Sequence, residues 1–354
     1  VIRRALGLGG VALAALGVVG AVEAAAPDGP RLAFVRVVEK PLALELVTSD
    51  SAASRVEKVV RRGLRKRPLP SPFGVPAWSP DGSLIAFSGW PRRLGPGRRS
   101  TQIYLVRPDG SGLTEISGSK GGVGPVFSPD GQTVAFAKTA VKLLPLRLWK
   151  GATMWSVGIG GLHVRQLTPW RDGVEDFPSS FSPDGSSLAF SHSRAWDSCP
   201  RAMALRLDGS GSFLLRRDAA RPIYSPDGRH IAFLEVQGLS KPFCCVDGHS
   251  ATFTESSTDL YAMNADGSGV RRLTDTPDAV ELAPSWDPGG DRLVYSQLRD
   301  QFWKPGLSAF EGDLMQVNAD GTCRTRILGS RESAPNSAAA WQPGPGREAG
   351  RIAC

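Results

Sequence analysis

The sequence predicts an all-β fold: a six-bladed β-propeller of four-stranded antiparallel blades, closed by the C-terminal strand joining the N-terminal blade. Three observations predict it. One turn motif recurs along the chain, a second turn motif falls between its copies, and the two ends carry complementary halves of the same repeat.

The first motif reads aromatic-Ser-Pro-Asp-Gly-x-x-aliphatic-Ala-Phe. It stands at Trp78-Ser79-Pro80-Asp81-Gly82, Phe127-Ser128-Pro129-Asp130-Gly131, Phe181-Ser182-Pro183-Asp184-Gly185 and Tyr224-Ser225-Pro226-Asp227-Gly228, with a looser copy at Trp286-Asp287-Pro288-Gly289-Gly290. Pro presets the turn backbone, Asp bonds to nearby amides, and Gly takes the positive φ of a tight hairpin. Each copy therefore joins an inner strand to a second strand, such as the one carrying Ile85 and Phe87, whose alternate residues face a packed layer.

The second motif, Asp-Gly-Ser-Gly or Asp-Gly-Thr, marks an outer hairpin at Asp109, Asp208, Asp266 and Asp320. Two hairpins make four strands, and first motifs starting at 79, 128, 182, 225 and 287 give the spacing of propeller blades. At the ends, Pro27-Asp28-Gly29 with Leu32-Ala33-Phe34 is a repeat without its first strand, while Trp341-Gln342-Pro343-Gly344 is a first strand without its sequel. The C-terminal strand is thus expected beside strands near 31–37, 42–48 and 55–60, hiding sheet edges that would otherwise template aggregation.

Residues 1–26 read as a secretory signal: Arg3 and Arg4, an apolar run from Ala5 to Val22, and the small residues Ala24-Ala25-Ala26. Residues 27–354 then form the propeller domain, and the protein is expected to be exported, periplasmic or extracellular, with no stable membrane span after cleavage. The 354-residue chain is 41% hydrophobic and 21% charged, enough apolar material for a folded core. Its net charge of +8 falls to +7 without the signal, which favours an anionic partner. Nucleic acid is not expected, since export separates the protein from it, and the protein is expected to be a monomer.

The Ser-Pro-Asp-Gly...Ala-Phe repeat and Asn264-Ala265-Asp266-Gly267-Ser268-Gly269...Arg272-Leu273-Thr274 resemble the motifs of TolB-like β-propellers, over essentially all of residues 27–345. That resemblance implies blades that serve many proteins: an envelope-integrity protein that binds a peptidoglycan-associated lipoprotein, propeller gates of peptidases, and polyuronate lyases. The repeat is expected to follow the signal directly, without the α/β domain that precedes the propeller in the first of these. No Gly-x-Ser-x-Gly elbow points to a hydrolase.

In a propeller the short regular turns share one face, and the irregular insertions fall on the other. On that second face three neighbouring blades are expected to pool basic loops: Arg61, Arg62, Arg65, Lys66 and Arg67; then Trp90, Arg92, Arg93, Arg98 and Arg99; then Lys142, Arg147, Trp149 and Lys150. Trp196, Phe243, Phe302, Trp303 and Phe310 lie further round. Basic groups beside Trp suit an acidic protein patch or an anionic cell-surface polymer. The expected function is therefore a non-catalytic binding scaffold for an envelope protein or polymer. The alternative is a polyuronate lyase-like enzyme that grips an acidic sugar chain while His and Lys move a proton.

Five cysteines suit an oxidising compartment. Cys199 is expected to bridge Cys244 or its neighbour Cys245, and Cys323 to bridge Cys354 and lock the closure. His192 and His249 sit near the cysteine loops, where zinc ligation with Cys199 and Cys244 would compete with disulfide formation. Asp172, Glu175, Asp176, Asp278 and Glu281 are expected to point toward the central channel, where calcium would find carboxylates; no other cofactor is expected.

Overall fold

A computed structural model describes residues 31–39, 42–49, 56–64, 72–89, 100–144, 147–194, 200–237, 257–277, 279–299, 312–328, 339–343 and 350–354. These residues form strands and turns, with no helix among them. Consecutive antiparallel meanders are built from β4–β7 (Pro72–Trp78, Ile85–Gly89, Gln102–Val106, Thr114–Glu115), β8–β11 (Gly122–Phe127, Thr133–Leu144, Arg147–Gly158, Arg165–Gln166) and β12–β15 (Val174–Phe181, Ser187–Arg194, Arg201–Arg206, Gly211–Arg217). They continue through β16–β19 (Ala219–Tyr224, His230–Gln237, Ser257–Asn264, Arg271–Arg272) and β20–β23 (Ala279–Trp286, Arg292–Arg299, Gly312–Asn318, Thr325–Leu328). Single parallel bridges, Ala152↔Glu175 and Thr258↔Val280, link the second meander to the third and the fourth to the fifth.

The N-terminal sheet is assembled from both ends of the chain. β1 (Leu32–Glu39), β2 (Leu42–Ser49) and β3 (Val56–Leu64) form three strands, and β24 (Ala340–Trp341) supplies the fourth, in the order β24-β1-β2-β3. Leu32 pairs with Trp341 and Ala33 with Ala340, and the Gln342 amide donates to the Arg31 carbonyl at 2.8 Å. Gln342 stands where other repeats have Ser, and its Nε2 donates to the Gly82 carbonyl of the next turn at 3.0 Å.

The turn motif is a closed set of hydrogen bonds. Ser79 Oγ donates to Asp81 Oδ1 at 2.5 Å and accepts from the Leu84 amide at 2.9 Å, while Asp81 Oδ1 accepts from the Ser83 amide at 3.0 Å. The same bonds recur around Ser128, Ser182 and Ser225. In the loose copy Asp287 replaces Ser and accepts from the Arg292 amide at 2.9 Å. Hydrogen bonds from Ser hydroxyls hold the carboxyls of Asp81, Asp130 and Asp184 below their ordinary values. The motif Gly is needed for its φ, +69° at Gly131, and for closeness: a Cβ there would lie 3.4 Å from Pro80 of the preceding turn.

Packing occurs between meanders. β5 is buried along its whole length because both of its faces meet a neighbouring sheet. On one side Ile85 and Phe87 join Val35, Leu46 and Val60; on the other Ala86 joins Phe127, Val134 and Phe136. The last meander packs on the first sheet in the same way, with Val294, Leu314 and Leu328 against Leu32, Phe34, Val47 and Trp341. Arg292 stacks over the Trp341 ring at 5.0 Å. Tryptophan indoles stitch neighbours together: Trp78 Nε1 donates to the Ala340 carbonyl at 3.0 Å and Trp286 Nε1 to that of Ile223 at 3.2 Å. Cys323 in the β22–β23 turn is bonded to Cys354, with 5.0 Å between Cα atoms.

The junction between β18 and β20 is sealed by carboxylates. Glu281 was expected to point into a channel, but it is fully buried, because Thr274 and Thr276 reach it at 2.6 and 3.0 Å. Thr276 Oγ1 also lies 3.1 Å from Asp259, whose other oxygen takes Arg272 at 2.5 Å. One hydroxyl proton cannot serve two carboxylates, so the network closes when Glu281 is protonated and donates to Thr276, which donates to Asp259. Burial, with the Asp259 charge adding to it, accordingly pushes the Glu281 carboxyl up to about 7.

This packing has two measurable consequences. Trp341→Ala should cost about 3–5 kcal/mol in chemical denaturation, whereas Leu162→Ala, at a site 68% exposed, should change stability by less than about 0.5 kcal/mol. Because the folded-state value of Glu281 is raised, the folded chain holds a proton that the unfolded chain has lost. Its contribution to stability should therefore fall as pH rises from 4.5 toward about 7, by roughly 3 kcal/mol in all. Denaturation of wild type and Glu281→Gln between pH 4.5 and 8 should show this fall in the difference between the two.

Candidate functional site

The β10–β12 junction is the counterpart of the sealed one, and it is open. The parallel bridges align Asp176 with Glu281, and Thr168 with Thr274, since the Thr168 and Thr274 hydroxyls accept from the Met154 and Leu260 amides at 3.0 and 2.8 Å. In the same alignment Thr153 replaces Asp259, Gln166 replaces Arg272, and His192 replaces Gln297. The shorter Asp176 turns to His192, with Oδ1 2.7 Å from Nδ1. A cleft of about 700 Å³ lies there between β11 and the face of β13–β15.

Strand alternation builds the wall of the cleft. Phe190, His192 and Arg194 share one face of β13, and Arg201, Met203 and Leu205 share that face of β14. On β15, Ser212 and Leu214 follow suit; a register shift opposite Ala202/Met203 then brings Arg217 onto the same side, opposite Arg201. The ladder thus sets Asp176, His192, Arg201 and Arg217 in one transverse row, above a row of Phe190, Met203 and Leu214. The other face of β14 carries Ala202 and Ala204, both fully buried.

The electrostatics are one-sided. Arg165 and Arg171 come from the facing meander and Arg206 from the far end of β14, which gives six arginines against the single carboxylate of Asp176, itself paired with His192. Arg165, Arg171, Arg194 and Arg217 are exposed and have no ion-pair partner among the described residues. Uncompensated guanidinium groups around an apolar floor are suited to a ligand that presents carboxylates and some apolar surface. With Nδ1 donating to Asp176, the second ring nitrogen of His192 is left to accept a proton or a hydrogen bond at the cleft wall.

The basic loops expected from the sequence fall differently. Arg61 and Arg62 lie within β3, opposite Leu46 and Glu45. Lys142, Arg147, Trp149 and Lys150 lie in strands, because β9 and β10 keep pairing out to Leu144↔Arg147; the β-prone run Thr139-Ala140-Val141 extends the hairpin where a loop was expected. Arg65, Lys66, Arg67, Trp90, Arg92, Arg93, Arg98, Arg99, Trp196 and Trp303 lie outside the described residues, as do Phe243, Phe302, Phe310, Asp278, His249, Cys199, Cys244 and Cys245. Among the described residues no group of three or more His, Cys, Asp or Glu side chains is placed to hold a metal ion. The sequence singles out Asp176 and His192 separately but not the cleft arginines: His192 and Arg201 stand where sister strands pair Lys138 with Thr153, Glu235 with Asp259 and Gln297 with Asp313, so no change from apolar to polar marks them.

No protein-family model matches the chain. A 71-residue stretch, 20% of the chain, is 38% identical to the Tol-Pal system protein TolB of Anaeromyxobacter dehalogenans (strain 2CP-C), and spans only 12% of that protein's length. The crystal structure of TolB from Acinetobacter baumannii superposes with a TM-score of 0.61 at 21% identity, covering 89% of this chain and 67% of that one. A protein assigned as TolB from Agrobacterium tumefaciens does so with a TM-score of 0.56 at 17% identity, covering 90% and 99%. The chain thus has the β-propeller fold of these TolB structures, and one stretch of its repeats is similar in sequence to TolB.

Proposed function

We propose that this chain is an exported, non-catalytic binding scaffold whose arginine-lined cleft holds an acidic segment of an envelope protein. The scaffold is a monomeric ring of six four-stranded blades, the blade holding β1 being completed by β24, and residues 1–26 direct its export. Contact between the last meander and the first sheet supports a closed ring, since Val294 and Leu314 meet Phe34 and Trp341 there. The observation that carries the binding reading is the excess of unpaired arginine over carboxylate in the cleft. The TolB name of the relatives, one of them a Tol-Pal system protein, favours an envelope partner.

A second reading rests on the Asp176–His192 pair: an enzyme on acidic sugar chains, in which the arginines hold the uronate carboxylates and His192 accepts the proton. Release of unsaturated product from polyuronate would select it, and failure of His192→Gln to abolish that release would discard it.

The binding reading is tested with a fluorescent oligoglutamate peptide. Arg194→Glu/Arg217→Glu should weaken binding about tenfold or more, and raising salt should weaken the wild type toward the variant. Equal affinity of the two proteins at low salt would rule the cleft out as the binding site.

A further inference from the structure

The first strands of the meanders break register at one level: Phe73/Ala77 in β4, Val123/Val126 in β8, Pro178/Ser180 in β12, Ala220/Ile223 in β16 and Leu282/Ser285 in β20. At four of these breaks a residue takes the left-handed conformation: Gly74 (φ +73°), Gly124 (+62°), Arg221 (+53°) and Ala283 (+49°). Glycine is the residue such a bulge asks for. A Cβ at Gly74 or Gly124 would meet nothing within 4 Å, so these positions open onto unfilled space. Arg221 places the longest cationic side chain where its counterparts carry little or nothing, on a backbone it adopts at a cost.

Its charge is not compensated. The Arg221 guanidinium has no hydrogen-bond or ion-pair partner among the described residues. The residue is part-buried, and that burial holds its pKa below the ordinary arginine value. The adjacent first strand adds a polar group at its own break, for Ser179 Oγ is buried and has no partner. Hydrogen bonds hold β16 against that meander: the Tyr224 amide donates to Ser180 Oγ of β12 at 2.9 Å, and the Arg221 amide to Ser191 Oγ of β13 at 2.8 Å.

We propose that Arg221, with the Ser179 hydroxyl on the neighbouring strand, forms an oxyanion site on the inner side of the sheets, separate from the arginine-lined cleft, that receives a carboxylate or phosphate group. A guanidinium offers a planar fork of N–H donors to either group, and the hydroxyl adds one more donor. The left-handed backbone at this break carries Gly74, Gly124 or Ala283 in other meanders, so Arg221 alone projects a cationic side chain from it.

The probes are inorganic phosphate and acetate, each titrated at constant ionic strength and followed by thermal unfolding and calorimetry. In the wild type at least one should bind saturably and raise Tm; phosphate alone points to a phosphate-bearing ligand, and acetate to a carboxylate. Arg221→Gly, which suits the left-handed backbone, should be at least as stable as wild type without anion, yet bind the probe tenfold or more weakly. Arg194→Glu/Arg217→Glu should keep this titration, so that loss of the cleft reading leaves the inner site standing. An unchanged titration in Arg221→Gly, or no titration by either anion in the wild type, would overturn the proposal.

Discussion

A four-stranded meander that buries both of its faces cannot be stable alone, and that constraint governs the rest of this molecule. β5 has no exposed residue, and its two faces belong to two different apolar clusters. Every sheet therefore needs a neighbour on each side, and a row of such sheets would leave two raw faces at its ends. In the proposed ring the terminal strands answer the problem. β24 joins β1, Trp341 enters the cluster shared by the first sheet and the last meander, and the Cys323–Cys354 bond ties the β22–β23 turn to the chain end. A bond across 31 residues removes loop entropy from the unfolded chain worth about 3–4 kcal/mol on the chain-entropy account.

The cleft is best understood as a sealed junction with its seal taken away. Between β18 and β20, Asp259 neutralises Arg272, and Glu281 is closed in by threonines. Between β10 and β12 the matching positions hold Thr153, Gln166 and Asp176, and the carboxylate that remains is occupied by His192. A few substitutions thus turn a dry, internally paired interface into an open one whose arginines face solvent. Apolar residues beneath them, Phe190, Met203 and Leu205, remain part of the interface between meanders, so the site rests on rigid strands.

Much of the architecture was legible because each residue of the Ser-Pro-Asp-Gly turn acts locally. The Ser, Asp and Gly roles are fixed within six residues, and the hydrogen bonds at Ser79 and Asp81 follow from them. The Cys323–Cys354 pairing could be anticipated because the split repeat brings both positions to one side of the sheet. The site was less legible. Cleft arginines are spread over β11, β13, β14 and β15, and only cross-strand register assembles them; Arg217 joins the row through a bulge that no spacing announces. Sequence also placed Lys142 and Trp149 in a loop, since a long hairpin and an irregular insertion look alike when tip residues are few. Glu281 looked like a channel acid, for nothing in its neighbours revealed that two threonines would bury it.

If shared faces hold the sheets together, β24 contributes more than one short ladder. The most direct measurement is native-state hydrogen exchange on the full chain and on a chain ending before residue 339. The account predicts that loss of β24 lowers protection in β1 and also in β5 and β21, which belong to the sheets on either side. Protection that falls in β1 alone, or nowhere, would contradict it.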